Sequence, residues 1–225
     1  MAHGAAVMQK GRVCINVGCG SSPTPGWLNY DGSPSIILAR YRWLCAILDR
    51  AGFLEEMNRQ FISFARSSDI HWADATKHIP VGDASADVLY SSHMLEHLDR
   101  DEVRSFLAEA YRVLKPEGII RIAVPDLRLM VQEYYQHGDG NKLIARTFLA
   151  QSRPIGIRAK LKWLLITTRA CHRWMYDVDS LSQLLADSGF REVGAWPAGS
   201  TSISGECSLN LRERENETLY IEARK

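Results

Sequence analysis

The stretch RVCINVGCGSSPTPGWLNYD, from Arg12 to Asp31, decides the fold of this chain. It begins with a run rich in β-branched residues that ends in Gly18-Cys19-Gly20, a pattern typical of a buried parallel strand entering a tight loop. A second apolar run over residues 27–30 ends at Asp31. The connection between the runs contains two prolines and has room for little more than one helical turn. The stretch therefore predicts two strands joined by an unusually short crossover.

Strands and helices alternate along the rest of the chain. Apolar residues recur at helical spacing over residues 35–66, with a break at Gly52, which predicts a helical insertion after the second strand. Helical periodicity also covers residues 95–114 and 181–188. Further strands are predicted at residues 70–73, 86–91, 119–124, 190–196 and 218–223. The alternation predicts an α/β fold with a mostly parallel seven-stranded sheet and helices on both faces.

The composition is that of one globular domain. The chain has 225 residues, so we expect a single domain over residues 1–225. A formal net charge of +1 argues against nucleic acid as a partner, since strong phosphate binders carry a clear basic excess. Five scattered cysteines, without a Cys-x-x-Cys pair or a histidine at zinc-like spacing, predict reduced thiols and no metal site. With no signal-peptide pattern and no apolar run long enough to cross a bilayer, we expect a cytoplasmic protein.

The glycine loop lies where an open α/β sheet binds its ligand, beyond the carboxyl end of a strand. Glycines there let a ligand approach the backbone closely, because no Cβ intervenes. An NAD fingerprint needs a third glycine, but Pro23 stands in that place, and Asp31 comes too early to be its usual acid. No Gly-Lys-Ser/Thr sequence follows, so a phosphate-binding loop is also disfavoured. The loop thus argues against an NAD-dependent oxidoreductase.

Two aspartates, Asp31 and Asp74, each close a predicted strand at the same sheet edge as the glycine loop. A carboxylate there can accept hydrogen bonds from both ribose hydroxyls or from an exocyclic amine. Either aspartate taken singly is more typical of a turn or a helix cap than of a ligand site. Together with the glycine loop, the pair indicates a nucleoside site.

Five sequence blocks resemble class I S-adenosylmethionine-dependent methyltransferases, and more narrowly the small type-11-like bacterial group associated with surface polysaccharide genes. The blocks are INVGCG at 15–20, LNYD at 28–31, AD at 73–74, DVLYSSHMLEHL at 87–98 and RVLKPEG at 112–118. The resemblance spans roughly residues 12–126 and resumes weakly at 172–193. It implies a Rossmann-like methyltransferase domain, with a second, basic insertion or lid over about residues 139–173, after the fifth strand.

By this resemblance the cofactor is S-adenosyl-L-methionine, and each block supplies part of its site. The methionine part would lie against Gly18, Cys19 and Gly20, the ribose on Asp31, and the adenine beside Asp74 and Ala75. Below the sulfonium the resemblance places Ser91, Ser92 and His93.

His93 and His172 are the candidate catalytic residues. Methyl transfer from a sulfonium is an in-line displacement with an activated leaving group, so alignment supplies much of the acceleration and no metal is required. A hydroxyl acceptor would benefit from a general base, and His93 is the first candidate. His172 follows the basic insertion within residues 171–177, where an aromatic cluster packed on the sheet is the alternative interpretation. For His97 a structural role is favoured, with Glu96 either orienting it or capping a helix.

Residues 142–173 carry eight Lys and Arg side chains and no Asp or Glu. Apolar residues are interleaved with these charges, which describes a basic amphipathic element that can meet an anionic acceptor or a membrane surface. A solvated helix face is the plain alternative. A lipid-linked or phosphorylated glycan precursor would match both the basic charge and the apolar stripe.

The sequence thus predicts an enzyme that transfers a methyl group from S-adenosylmethionine to an acceptor hydroxyl or other nucleophile on a glycan or glycan precursor. An RNA or small-molecule methyltransferase is one alternative, and RNA binding would weaken steeply with salt. The other is a non-catalytic binding module that keeps the fold as a scaffold. We expect such a module to have lost the glycine loop or the aspartates, and all of them are present.

Overall fold

The computed structural model describes residues 11–149, 171–204 and 208–225. The strands are β1 (Cys14–Val17), β2 (Leu28–Asp31), β3 (His71–Trp72), β4 (Ala86–Ser92), β5 (Leu114–Pro125), β6 (Arg191–Trp196) and β7 (Thr218–Arg224). The helices are α1 (Pro34–Arg40), α2 (Arg42–Arg50), α3 (Glu56–Ser67), α4 (Arg100–Val113), α5 (Leu127–His137), α6 (Gly140–Thr147) and α7 (Val178–Asp187). A 3₁₀ turn, Leu95–His97, precedes α4.

All seven strands form one sheet in the order β3-β2-β1-β4-β5-β7-β6. Strands β1 to β5 are parallel, whereas β7 runs antiparallel between β5 and β6. The predicted mostly parallel seven-stranded sheet is therefore confirmed. The strand order reverses between β1 and β4, and in such sheets this is the point beyond which a ligand binds. The start of the antiparallel β7 lies at the same edge as the carboxyl ends of the parallel strands.

The central strands are mostly apolar, and they are covered on both faces. Ile15 of β1 and Leu89 of β4 are fully buried in one cluster with Phe106 of α4. Their neighbours Cys14 and Val88 belong to a different buried cluster. Two-sided burial is why these strands appear in the sequence as continuous apolar runs rather than alternating ones. Each large apolar side chain buried in this way stabilises the fold by roughly 1.5–3 kcal/mol.

The connection from β1 to β2 contains no helix, as its length predicted. Buried Asn29 organises it, because the Asn29 side chain accepts a hydrogen bond from the Thr24 nitrogen at 2.7 Å. The same side chain donates to the carbonyl oxygens of Thr24 and Trp27 at 3.1 and 3.0 Å. These bonds satisfy backbone groups that a helix would otherwise have paired.

The predicted insertion after β2 is confirmed and consists of α1, α2 and α3. These helices pack around a separate apolar cluster that includes Ile36, Leu54 and Ile62. The predicted break at Gly52 is present, and its φ of +69° ends α2 in the left-handed region that glycine tolerates. A further break at Tyr41, which apolar spacing did not reveal, separates α1 from α2.

The helix predicted over residues 95–114 is wrong at its start, since α4 begins only at Arg100. The Asp99 side chain accepts hydrogen bonds from the nitrogens of Asp101 and Glu102 at 3.1 and 2.9 Å, and so caps the helix. Apolar periodicity continued across this cap because Leu95 and Leu98 are buried as well. Glu96 and His97 consequently lie in the 3₁₀ turn that follows β4, and not on a helix.

The basic segment is only partly described. Its cations at positions 153, 158, 160, 162 and 169 lie outside the described residues. Lys142 and Arg146 both pair with Glu133 of α5, and Arg173 pairs with Asp99 at 3.2 Å. These three cations therefore have acidic partners within the protein. None of the helices formed by the described residues combines the length and apolar character that a membrane span requires.

Candidate active site

The loop after β1 turns at two glycines, Gly18 and Gly20, whose φ values are +71° and +49°. The N–H groups of Gly18 and Cys19 both donate to the Tyr30 carbonyl, at 2.8 and 3.2 Å, which ties the loop to β2. A Cβ on Gly18 would lie 2.7 Å from Sδ of Met94. A Cβ on Gly20 would meet no described atom within 4 Å. The loop is therefore tightly packed at Gly18 and open at Gly20.

Asp31 closes this loop from the end of β2. Its two oxygens accept hydrogen bonds from the nitrogens of Gly20 and Ser33, at 2.9 and 2.7 Å. Burial raises the pKa of this carboxyl above its ordinary value, and the two backbone hydrogen bonds offset that rise only in part. A carboxylate has about four lone-pair directions, so these two bonds leave capacity for further donors such as ribose hydroxyls. Burial and the Asp31 charge raise the pKa of the adjacent Cys19 thiol, which therefore stays protonated.

Asp74 lies at the neighbouring strand end, since the Ala73 nitrogen donates to the Asp31 carbonyl at 3.2 Å. Its carboxylate accepts from the nitrogen and hydroxyl of Thr76 at 3.2 and 2.7 Å and pairs with Lys77 at 2.9 Å. Burial raises the pKa of Asp74, but the bonds from Thr76 and Lys77 outweigh it, so the pKa is lowered overall. Asp74 is thus a turn former at the shared edge. The neighbouring Ala75 is buried in the same apolar cluster as Ile15 and Leu89.

Ser91, at the carboxyl end of β4, pairs with Val17 at the end of β1. Its hydroxyl is buried and has no hydrogen-bond partner among the described residues. Buried polar atoms are nearly always paired, so this hydroxyl is available for a hydrogen bond with a polar ligand at this strand end. Ser92, half-buried, follows at the last position of the strand. A polar nucleoside ligand such as S-adenosylmethionine fits this site. It could use the open backbone at Gly20, the remaining lone pairs of Asp31 and the Ser91 hydroxyl.

His93 directly follows β4 in the left-handed region, with φ of +49°. Its nitrogen donates to the Ala123 carbonyl at 2.8 Å, which holds the residue on the edge of β5. The Nδ1 atom lies 3.2 Å from Oε1 of Glu96, and Nε2 lies 3.2 Å from the hydroxyl of Thr218. With its side chain only 10% exposed, His93 is held at both ring nitrogens.

His172 lies near the end of the basic segment and comes close to the same region. The nitrogens of Arg173 and Trp174 donate to the Glu96 carbonyl at 2.6 and 3.3 Å. The His172 ring contacts the ring of His97, with 4.9 Å between centroids. Burial lowers the pKa of His172, against the opposing effect of the Glu96 charge. Both predicted catalytic histidines therefore lie around Glu96.

Glu96 is the residue whose importance the sequence interpretation missed. Its side chain is 1% exposed, and it lies between His93 and the 171–174 segment. The available signal was a lone acid between Leu95 and His97 in an apolar block. That block was interpreted as the start of a helix, in which a glutamate is ordinary.

Residues 15–122 of the chain match the family described as "Methyltransferase domain". Among curated proteins, the chain is similar to the malonyl-[acyl-carrier protein] O-methyltransferase of Hahella chejuensis (strain KCTC 2396), with 33% identity over 140 residues. The match covers 61% of this chain and 46% of that relative, so the chain spans less than half of the relative's length.

Solved structures share the fold. A SAM-dependent methyltransferase from Methanosarcina mazei superposes with a TM-score of 0.52 at 15% identity, covering 97% of this chain and 94% of that one. A SAM-dependent methyltransferase from Archaeoglobus fulgidus gives a TM-score of 0.50 at 14% identity, with 97% and 88% covered. The chain therefore has the fold of these S-adenosylmethionine-dependent methyltransferases, and over residues 15–122, just under half of its length, it is similar to the methyltransferase-domain family.

Proposed function

We propose that this chain transfers a methyl group from S-adenosylmethionine to an oxygen atom of a small-molecule acceptor. The observation that carries the proposal is that an open glycine loop and a histidine held by a buried glutamate meet at one sheet edge. Gly20 and Asp31 line the open loop at the ends of β1 and β2. His93, held by Glu96, stands at the end of β4, the strand next to β1.

Bound S-adenosylmethionine would supply a methyl group on a sulfonium. The neutral thioether that leaves needs no further activation. Asp31 has spare lone pairs to accept from the ribose hydroxyls, and the backbone at Gly20 is open to close approach. The remaining roles follow the family resemblance: Gly18 and Cys19 toward the methionine part, Asp74 and Ala75 toward the adenine, and Ser91 and Ser92 below the sulfonium.

His93 is the residue to which we assign the proton of a hydroxyl acceptor. An acceptor hydroxyl that takes the place of the Thr218 hydroxyl at Nε2 lies within hydrogen-bond reach of the ring. Glu96 at Nδ1 holds the ring and stabilises the imidazolium formed when the proton is taken. The name of the curated relative, an O-methyltransferase, supports an oxygen acceptor.

The test is an acceptor screen in which the formation of S-adenosylhomocysteine is measured by mass spectrometry. One set of acceptors carries carboxylates, such as malonyl thioesters. The other carries sugar hydroxyls, which the resemblance to polysaccharide-associated methyltransferases implies. If the acceptor atom belongs to a hydroxyl, we expect His93→Gln to lower turnover by roughly 100-fold or more, because the base is lost. If the acceptor is a carboxylate, it carries no proton at neutral pH, so we expect His93→Gln to change turnover little.

His137→Gln is the matched control, because His137 is exposed at the end of α5. We expect this variant to match the unmodified chain in turnover and in cofactor affinity. Binding of S-adenosylmethionine without turnover of any acceptor would support the non-catalytic binding module instead. A chain that binds neither S-adenosylmethionine nor S-adenosylhomocysteine would overturn the proposal.

A further inference from the structure

Glu96 is a nearly inaccessible carboxylate with an incomplete set of partners. One oxygen, Oε1, accepts from His93 at 3.2 Å. The other, Oε2, is buried and has no hydrogen-bond partner among residues 11–149, 171–204 and 208–225. Removing a carboxylate from water is costly unless both of its oxygens find partners. The unpaired oxygen therefore indicates that something else binds there.

Two histidines bring nitrogen atoms to the same place. One ligand atom from each of Glu96, His97 and His172 can be chosen so that all three lie within 4.8 Å of one another. Nδ1 of His172 is buried and, within the described part of the chain, has no hydrogen-bond partner. Nδ1 of His97 lies 3.1 Å from the Cys171 carbonyl, to which it can only donate. That bond fixes the tautomer of His97 and leaves the lone pair of Nε2 free.

The backbone holds these side chains together from two distant parts of the sequence. Arg173 and Trp174 both donate to the carbonyl of Glu96, and His97 is bonded to the residue preceding His172. The three side chains are therefore positioned by the 3₁₀ turn after β4 and by the segment that enters α7. A bond from a ligating histidine to a backbone carbonyl is the usual support of a metal site.

We propose that Glu96, His97 and His172 bind one divalent transition-metal ion of the zinc class. Two imidazoles and one carboxylate are a ligand set that suits zinc and its neighbours, and three protein ligands leave a position open. Ligand atoms bound about 2.1 Å from one ion lie roughly 3–4 Å apart. The widest pair in the cluster therefore has to contract by up to roughly 1–2 Å.

The proposal differs from our expectation, drawn from the sequence, that the chain has no metal site. That expectation rested on the absence of zinc-like spacing, and Glu96 and His97 come together with His172 only through the fold. If the proposed methyl transfer is also correct, the open position would take an oxygen of the acceptor and lower the pKa of a hydroxyl bound there. This further role rests on the proposed function, whereas metal binding itself does not.

The experiment is a titration of the chelator-treated full chain with Zn²⁺, in the absence of cofactor and acceptor, with Mg²⁺ titrated in parallel. We expect one equivalent of Zn²⁺ to bind, and Mg²⁺ to bind much more weakly because imidazole ligands disfavour it. His172→Ala and Glu96→Gln should each weaken Zn²⁺ binding by at least about 10-fold. His137→Ala, which removes an exposed histidine elsewhere, should leave the affinity unchanged.

Three further measurements keep the test decisive if Glu96→Gln does not fold. Binding of S-adenosylhomocysteine and the thermal unfolding midpoint report the folded state of each variant. X-ray absorption of the Zn²⁺-loaded chain should show nitrogen and oxygen ligands at about 2.0–2.1 Å and no sulfur. Zn²⁺ that does not bind to the folded chain, or that binds equally to folded His172→Ala, would overturn the metal site. Such an outcome would leave the proposed methyl transfer untouched.

Discussion

Gly18 and Gly20 share a positive φ but have different surroundings. Gly18 is packed against Met94, whereas the space beside Gly20 is open. An L side chain at positive φ costs roughly 1 kcal/mol at either position. Any difference between substitutions at the two sites therefore reports what lies next to each glycine.

Substituting alanine at each glycine should separate folding from cofactor binding. Gly18→Ala overlaps the Met94 side chain, so we expect it to lower the free energy of unfolding by about 1–3 kcal/mol more than Gly20→Ala does. Gly20→Ala places a methyl group in the open loop, so we expect it to weaken S-adenosylhomocysteine binding by about 10-fold or more. Urea unfolding and calorimetry on both variants measure the two effects. Equal losses of stability would contradict the packing argument.

Asp31 should carry much of the affinity for the cofactor. Asp31→Asn removes the negative charge but keeps the shape, and hydrogen bonds to a charged group are worth about 1.5–3 kcal/mol. We therefore expect the Kd for S-adenosylhomocysteine to rise by about 10- to 100-fold, measured by calorimetry. Asp101→Asn, at an exposed position of α4, is the control. Unchanged affinity in Asp31→Asn would rule out the proposed ribose contact.

At the scale of elements, one buried ion pair joins β5 to β7 across the sheet. Arg121 and Glu222 are register partners on these strands and are only 1% and 3% exposed. Glu222 also accepts hydrogen bonds from Thr201 and Ser202. Arg121 has fewer other partners, the Ser200 carbonyl at 3.0 Å and the ring of Tyr220. The pair thus attaches the loop after β6 to the face of the sheet.

Breaking this pair from its two ends should have unequal effects. Arg121→Met leaves Glu222 with its Thr201 and Ser202 donors, whereas Glu222→Leu leaves a buried guanidinium with little compensation. Loss of one partner of a buried pair costs about 3–5 kcal/mol. We expect Glu222→Leu near the upper end of that range, and Arg121→Met below it.

The double variant Arg121→Met/Glu222→Leu is the control for the ion pair. It leaves no unpaired buried charge, so its loss of stability should be smaller than the sum of the two single losses. Urea unfolding of all three variants tests this expectation. Additive losses would show that the two side chains act independently.

At the scale of the whole molecule, several ion pairs make stability depend on pH. Glu109 of α4 binds Arg112 and accepts from the Ile79 nitrogen, and the hydrogen bond from Arg112 is the main cause of its lowered pKa. Asp87 of β4 binds Lys115 and the Val13 nitrogen. Burial raises the pKa of Asp87, but these bonds outweigh it and the pKa is lowered. Both carboxylates connect the sheet edge opposite the site to neighbouring elements.

Acid should destabilise the chain through these carboxylates. A carboxyl whose pKa is lowered by folding stabilises the native state above its unfolded pKa, near 4, and this contribution is lost as pH falls through the folded pKa. Glu109→Gln should therefore lower the thermal midpoint at pH 7 by an amount equivalent to about 1–2 kcal/mol. The difference from the unmodified chain should shrink as the pH falls below 4. A difference that persists in acid would assign the effect to packing and not to charge.

Glu56→Gln is the matched control for this prediction. Glu56 and Arg59 have the same spacing as Glu109 and Arg112, but they lie on the solvent-exposed face of α3, with side chains 67% and 46% exposed. Solvent and salt screen exposed pairs, so we expect the midpoint of this variant to stay close to that of the unmodified chain at both pH values. Comparison of the two variants isolates the effect of burial on a single type of pair.

The seven strands and the glycine loop were accessible from the sequence because they depend on neighbours in the chain. Short runs of β-branched and other apolar residues predicted all seven strands, and the short crossover limited where Asp31 could lie. The predicted start of α4 was wrong because the local signal there was ambiguous. Leu95 and Leu98 continued the helical pattern across a cap, although Asp99 with Glu102 three residues on is the pattern of a capping box.

The sequence by itself determined the fold class, the glycine loop and the edge at which Asp31 and Asp74 lie, because parallel strands align their carboxyl ends. Only the tertiary structure decided that Glu96 is buried and that His97 and His172 lie beside it. The physical reason is that burial and side-chain convergence arise from packing between segments far apart in the chain. The local spacing of residues in the sequence carries no information about such contacts. Only the three-dimensional structure reveals that one oxygen of Glu96 has no partner among the described residues.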